Sequence, residues 1–404
     1  MMQTPHHRAK LRLPSNLPRG FSAATSKAGI RSGAGDDLAM IASDRSCPAA
    51  AVFTKNRFAA APIRLSRRHL ASSGGIARAI LINAGCANAA TGERGDRDAA
   101  SSAACLATAL DCPIEEVLVN STGVIGQHLP IDAMHAGIPK LVAKALPTGI
   151  ESVARAIMTT DSAPKAVECR LAAEDGSEIR VVGIAKGSGM IHPDMATMIG
   201  IVLTDARLSP DQLDQLLRRS IEKSFHRISV DGDTSTNDSV FTMASGAAGK
   251  AADQALLEAA FDEVCLSLAR MIVADGEGAS RVLEVKVVNA ASQADAREVA
   301  ETIARSLLVR TAVAGGDPNW GRIIAALGRT QATFDPDQIR VEANLIPLFD
   351  QGSPIEDPTD SAAEAFSAER ILIGIDLAAG MASETYLTCD LTAEYVRINA
   401  EYTT

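Results

Sequence analysis

Between Lys186 and Met198 the chain reads Lys-Gly-Ser-Gly-Met-Ile-His-Pro-Asp-Met-Ala-Thr-Met, a basic group, hydroxyls, an imidazole and a carboxyl in one short stretch. Residues 179–186 before it alternate like a strand, and residues 199–204 after it form the short apolar run of a fully buried one. Polar groups held between two core strands need partners or a task. A glycine-rich phosphate loop is one option, but Lys186 precedes the glycines and a strand, not a helix, follows Thr197. A metal site at His192 and Asp194 is another, but no second histidine lies at helical spacing and Pro193 fixes the backbone between them. Thr197 also suits an ordinary β-branched residue entering a strand. Outside this stretch, Cys86 in a Gly/Asn/Ala-rich loop is the one thiol whose setting suggests chemistry, and no histidine is near it in sequence.

The elements that must position these groups follow from periodicity and punctuation. A loose arm is expected over residues 1–20, and strands near 38–41, 50–54 and 79–83. Ser209-Pro210-Asp211-Gln212 opens a helix with an N-cap, a proline at the first position and a capping box, and Leu213, Leu216, Leu217, Ile221 and Phe225 line its inner face. A second helix over 253–273 turns Leu256, Leu257, Phe261, Val264, Leu268, Met271 and Ile272 inward and stops at Asp275-Gly276-Glu277-Gly278. The pattern then restarts, with a strand over 282–288, a helix over 295–309, and strands near 338–343, 371–377 and 385–392. A second, C-terminal domain is therefore expected from about residue 281. Residues 350–368, polar and acidic with Pro354 and Pro358, read as a flexible excursion within it.

Composition bounds the function. The 404 residues are 47% hydrophobic and only 3% aromatic, so the interior is built from Ala, Val, Ile and Leu, as suits an α/β enzyme, and the length suits two domains or one large α/β unit with an appendage. A net charge of -10 without a Lys/Arg run argues against nucleic acid as a partner. Seven cysteines without a CxxC pair suit reduced thiols in a cytosol. No stretch approaches the roughly 20 apolar residues of a membrane helix, so a cytoplasmic protein without membrane contact is expected.

The whole constellation resembles the ornithine acetyltransferase family, also called glutamate N-acetyltransferase, over nearly the full length. The matching residues are the Lys186–Met198 stretch, Asn120-Ser121-Thr122-Gly123-Val124-Ile125-Gly126 and Met158-Thr159-Thr160-Asp161, followed by Asp275-Gly276-Glu277-Gly278-Ala279, Asp317-Pro318-Asn319-Trp320-Gly321-Arg322 and Asn399-Ala400-Glu401-Tyr402-Thr403-Thr404. Arg310 stands where a lysine is expected, Gly315-Gly316 replaces a Phe-containing step, and Cys86 replaces a polar residue. The resemblance implies a layered α/β sandwich of the N-terminal-nucleophile type, like that of related aminopeptidases, over residues 1–280, and a smaller α/β domain over 281–404 whose last residues return to the active site.

It further implies self-cleavage between Ala196 and Thr197, giving an α chain of residues 1–196 and a β chain of residues 197–404. The Thr197 hydroxyl attacks the preceding carbonyl, and water opens the resulting ester. Cleavage frees an α-amine, ordinarily of pKa about 7.7–8.0, that serves as general base on the nucleophile's own residue. Thr122 and Gly123 are the implied oxyanion hole. Lys186 suits a substrate carboxylate and Glu277 a side-chain ammonium. Thr159 or Thr160, Asn399 and Thr404 complete the implied substrate contacts, while His192 and the segment around Trp320 are expected to be structural. No metal or cofactor is implied. The expected reaction is ping-pong transfer of acetyl from N2-acetyl-L-ornithine to L-glutamate within arginine biosynthesis, with acetyl-CoA open as a second donor and an (αβ)2 assembly of cleaved chains. Two rivals remain: an aminopeptidase or amidase passing the acyl group to water, and an uncut, non-catalytic binding protein of the same fold.

Overall fold

The computed structural model describes residues 11–192, 198–356 and 360–401. The strands of the first sheet are β1 (Phe21–Ser26), β2 (Leu38–Phe53), β3 (Ile76–Cys86), β4 (Val117–Val124), β5 (Lys165–Ala172), β6 (Glu178–Lys186), β7 (Ile199–Ala206) and β9 (Ser239–Gly249). They run in the order β4-β3-β2-β9-β7-β6-β5, with β1 also paired to β2. Strand β2 replaces the two separate strands expected near 38–41 and 50–54. Its polar Asp44-Arg45-Ser46 is exposed, at a shift of register where the strand continues past the break. The first half of β2 pairs with β1 and β3, and the second half with β9.

Because β2 changes partners, the sheet folds face to face on itself. Ile41, Ile80, Ile82 and Leu118 from one half share a core with Val182, Ile184, Ile201, Leu203, Phe241 and Met243 from the other. Strand alternation sends Ile179, Val181, Ala185 and Val202 to the opposite face, against the helices Pro210–Glu222 and Gln254–Ala274. On the far side the helices Ala61–Ser72 and Gly92–Leu110 pack on β4, and Ile131–Lys144 packs on β1, β2 and the helix Gly92–Leu110. Four layers result: helix, sheet, sheet, helix, the expected α/β sandwich.

The capping box at Ser209 and Gln212 forms as expected. Phe225, however, lies past the helix end in a short 3-10 turn, buried all the same. Leu256 points outward, 40% exposed, because the inner stripe runs Leu257, Phe261, Val264, Leu268, Ile272.

A second sheet holds β8 (Ile228–Ser229), β10 (Val282–Ala290), β11 (Arg340–Ala343), β12 (Ile346–Asp350), β13 (Ser353–Pro354), β14 (Arg370–Asp376) and β15 (Ala382–Cys389), in the order β13-β12-β11-β14-β10-β15-β8. It has its own apolar core, with Val285, Ile303, Val341, Phe366 and Ile373 buried. Strand β8 belongs to the chain before residue 281 and pairs with β15, stitching the two sheets together. The single helix expected over 295–309 is two, Gln293–Ala304 and Leu307–Gly315, because the Ser306 side chain accepts from the Val309 N–H and caps a new start. Among its described residues, the excursion expected over 350–368 carries regular structure. It contains the helix Ser361–Ser367, whose Ala362, Ala365 and Phe366 repeat at helical spacing and are buried.

Candidate active site

Element ends converge on one cleft. Strand β4 runs through Asn120-Ser121-Thr122-Gly123 and β6 ends on Lys186. The helix Ile150–Ala156 leads to Thr159-Thr160-Asp161, and the helix Gln254–Ala274 to Asp275-Gly276-Glu277. Thr122, Gly123, Thr159, Thr160, Lys186 and Glu277 all line the cleft, as does Asn399 from the terminal helix Ala393–Glu401. Ala196, Thr197 and Thr404 lie outside the described residues, as does Asp194. Met198, the residue after the expected nucleophile, is described and buried.

Lys186 is 2% exposed. Its Nζ donates to Thr159 Oγ1 at 2.7 Å and to Thr122 Oγ1 at 3.3 Å, with the Asp161 carboxylate 4.0 Å away. Burial pulls its pKa down and Lys165 adds to the fall, while Asp161, Asp238 and Glu277 oppose it. An ammonium held on hydroxyls, with its nearest carboxylate just beyond hydrogen-bond range, is suited to a ligand carboxylate.

Asp161 organises the floor. Its carboxylate accepts from Lys165 Nζ at 2.7 Å, from the Gly187 N–H at 2.6 Å and from the Thr159 N–H at 3.0 Å. Burial alone would raise its pKa, but the charges of Lys186 and Lys165, with the hydrogen bonds from Lys165 and Gly187, hold it at about 2. Lys165 is itself buried and also donates to Asp275 at 2.5 Å.

The glycines of the 186–198 stretch serve packing. The Gly187 N–H is committed to Asp161, and a Cβ at Gly189 would stand 2.4 Å from the Glu277 carboxyl. The Glu277 N–H donates to the Ser188 carbonyl at 2.8 Å, and its carboxylate accepts from Asn399 Nδ2 at 2.9 Å. Thr160 and Ser188 share a hydroxyl hydrogen bond of 2.8 Å. Thr159 therefore faces Lys186 and Thr160 faces the glycine stretch. Met190 adopts φ +58, uncommon for a side chain of its size, with the Met190 and Ile191 N–H groups donating to Asp231. Burial pushes the Asp231 carboxyl up to about 6.

Gly123 is required by its surroundings. At φ +131 a Cβ would lie 2.3 Å from the Gly85 carbonyl carbon, where β3 and β4 slip register. The cleft rim there is bare backbone beside the Thr122 hydroxyl.

Several expected positions lie elsewhere. The Cys86 thiol is buried, donates to the Gln127 carbonyl at 3.3 Å, and is pushed up in pKa by burial. That setting disfavours a thiolate. His192 places Nε2 4.0 Å from Glu301, on the helix Gln293–Ala304. Trp320 stacks on Phe349 at 5.6 Å in the second core. Among the described residues no group of three or more His, Cys, Asp or Glu side chains could hold a metal ion, and no helix is long and apolar enough to cross a membrane.

One wall was missed in the sequence. Ser235, Thr236 and Asn237 line the cleft beside Lys186, and Asp238 follows, fully buried. Asn237 Nδ2 donates to the Ala87 carbonyl at 2.7 Å and to the Ser121 carbonyl at 2.8 Å. The signal was present: the polar run Asp231-Gly232-Asp233-Thr234-Ser235-Thr236-Asn237-Asp238 leads into a buried strand, as the 186–198 stretch does.

Comparison with known proteins adds an independent line. The model of the ArgJ family matches residues 22–404. An arginine biosynthesis bifunctional protein ArgJ from Synechococcus is 45% identical over 406 residues, covering 96% of each chain. The crystal structure of an arginine biosynthesis bifunctional protein from Bacillus halodurans is 38% identical, with TM-score 0.48, covering 50% of this chain and 98% of that one. An ornithine acetyltransferase from Mycobacterium tuberculosis, solved in complex with ornithine, is 36% identical, with TM-score 0.41, covering 46% of this chain and 98% of that one.

Proposed function

This chain belongs to the ArgJ family, and from that premise we propose that it is a self-processing acetyltransferase that moves acetyl from N2-acetyl-L-ornithine to L-glutamate. The observation that carries the proposal is the shared cleft of Lys186, Thr122, Gly123 and Glu277, opening beside the start of β7, where Lys186 pairs with Ile199, two residues after position 197 in the sequence.

Each described group has a task there. Lys186 binds the α-carboxylate common to donor and acceptor. Glu277, steadied by Asn399, receives the ornithine ammonium. The Thr197 hydroxyl gives its proton to the residue's own α-amine as it attacks the acetyl carbonyl, and Thr122 and Gly123 stabilise the oxyanion. Collapse expels ornithine, whose nitrogen takes the proton held by the Thr197 α-amine, and leaves an acetyl ester. The glutamate amine attacks that ester and gives a proton to the α-amine, which passes it to the Thr197 oxygen as the ester bond breaks and N-acetyl-L-glutamate leaves. Thr159 or Thr160 and Thr404 complete the proposed substrate contacts. The scheme needs no metal or cofactor.

We also assign residues 1–280 to the nucleophile-bearing domain and 281–404 to a second domain, and expect the cleaved chains to pair as (αβ)2 in the cytoplasm. Acetyl-CoA as a second donor is tested by supplying it in place of N-acetylornithine.

A denaturing gel and an acetyl-transfer assay test the core of this reading. Wild type yields two fragments, the second beginning at Thr197, and makes N-acetylglutamate only when both substrates are present. Thr197→Ala stays whole and inactive. Acetate release at an undiminished rate without glutamate would favour the hydrolase, and an active wild-type chain that stays whole would remove Thr197 as nucleophile.

A further inference from the structure

The Asp238 carboxyl takes no part in the chemistry above, yet it is 0% exposed beside the site. Burial pushes its pKa well above the ordinary carboxylate value, against the Ser235 and Met198 N–H groups and the charge of Lys186. Such a group is costly to bury, and an apolar residue would fill the space more cheaply. Its retention needs a task that two acceptor oxygens perform.

Its partners show the task. One oxygen accepts from the Met198 N–H at 3.1 Å and the other from the Ser235 N–H at 3.2 Å. The Ser239 N–H donates to the Met198 carbonyl at 3.1 Å, so Met198 is gripped from both sides. The same loop is tied to β4, because Asn237 Nδ2 donates to the Ser121 carbonyl and Asn120 Nδ2 donates to the Asn237 carbonyl at 3.3 Å and to Ser239 Oγ. Residues 235–239 thus link the strand carrying Thr122 and Gly123 to the residue directly after position 197.

We propose that Asp238 is a positioning residue: it clamps Met198 to the 235–239 loop, and so fixes the start of β7 against β4 for both self-cleavage and acetyl transfer. The proposal rests on Thr197 being the nucleophile. Attack on a carbonyl tolerates little displacement, and about 1 Å of misplacement can cost about 100-fold in rate.

Asp238→Asn keeps the shape but turns an amide donor toward one of the two N–H groups. Asp238→Glu keeps both oxygens but displaces them. Either variant, once shown to be folded by circular dichroism, is expected to cleave at least about 10-fold more slowly than wild type. In the cleaved fraction kcat is expected to fall about 100-fold, with KM for N-acetylornithine changed by less than about 3-fold. Val285→Ala, in the core of the second sheet, lowers the melting temperature without this split and controls for lost stability. Wild-type cleavage and kcat in either folded variant would overturn the proposal, as would a raised KM at unchanged kcat. Thr197→Ala run alongside keeps the two readings apart. If it too is cut, the nucleophile assignment fails. If it stays whole while the folded Asp238 variants behave as wild type, only the positioning role fails.

Discussion

Asp161→Asn probes the buried charges under the cleft, and its cost can be worked from the structure. A carboxyl held at about 2 against an ordinary 3.8 contributes about 2.4 kcal/mol of stability at neutral pH, at about 1.36 kcal/mol per pKa unit. Because the folded-state value is depressed, that contribution is complete above about pH 4 and is lost as pH falls toward 2. Asparagine also leaves Lys165 and Lys186 without a shared counter-charge. Lys165 keeps Asp275 at 2.5 Å, whereas Lys186 loses its nearest carboxylate. Breaking a buried pair in this way costs about 3–5 kcal/mol, so the expected loss at pH 7 lies between about 2.4 and 5 kcal/mol. Urea unfolding followed by circular dichroism, in the Thr197→Ala background to keep a single chain, measures it at pH 7, 5 and 3. The gap between the two proteins should narrow by about 1 kcal/mol between pH 5 and pH 3. In the active background KM should rise for donor and acceptor together, since both present a carboxylate to Lys186. A gap below about 1 kcal/mol at pH 7, or one that does not shrink on acidification, would refute the assignment of Asp161 as the charged floor.

Gly123→Ala places a methyl 2.3 Å from the Gly85 carbonyl carbon at φ +131, so the rim must shift. Steady-state kinetics should show kcat lowered about 100- to 1,000-fold, with self-cleavage slowed in parallel on a gel. Glu277→Gln removes the charge proposed for the ornithine ammonium, and KM for N-acetylornithine should rise about 10-fold or more while KM for glutamate stays unchanged. Asp231 carries the opposite pH signature from Asp161. Its carboxyl is raised from 3.8 to about 6, so the wild type loses up to about 3 kcal/mol of stability as pH climbs through that window. Asp231→Asn should melt with a flatter pH dependence between pH 4 and 7 in calorimetry.

Local signals set what the sequence disclosed. Helix starts were legible where a side chain caps its own turn, as at Ser209, and core strands where apolar runs are continuous, as in β7. Breaks and continuities that depend on distant partners were not. The helix expected over 295–309 kept its apolar period across Arg305-Ser306, but Ser306 had Val309 to cap. Strand β2 looked like two because Asp44-Arg45-Ser46 is polar, and it stays one strand because β1, β3 and β9 supply its hydrogen bonds in turn. Propensity is decided within a few residues, whereas sheet pairing is decided across the fold.

The site divides along the same line. Lys186, Thr122, Gly123, Glu277 and Asn399 stand in short motifs, and a resemblance can carry such residues to their roles one position at a time. What sequence could not disclose is why these motifs need one another. Asp161 has meaning only with Lys165, Lys186 and the Gly187 N–H around it, and Gly189 only with the Glu277 carboxyl 2.4 Å from where its Cβ would stand. The 231–238 run held the same warning as the 186–198 stretch, polar groups leading into an apolar strand. It passed unread because a polar loop at the surface is the commoner outcome of such a composition. Burial turns that composition into a constraint: once Asp238 is enclosed, its two oxygens must be satisfied, and the N–H groups that satisfy them come from Met198 and Ser235, on two segments that meet only in the folded chain.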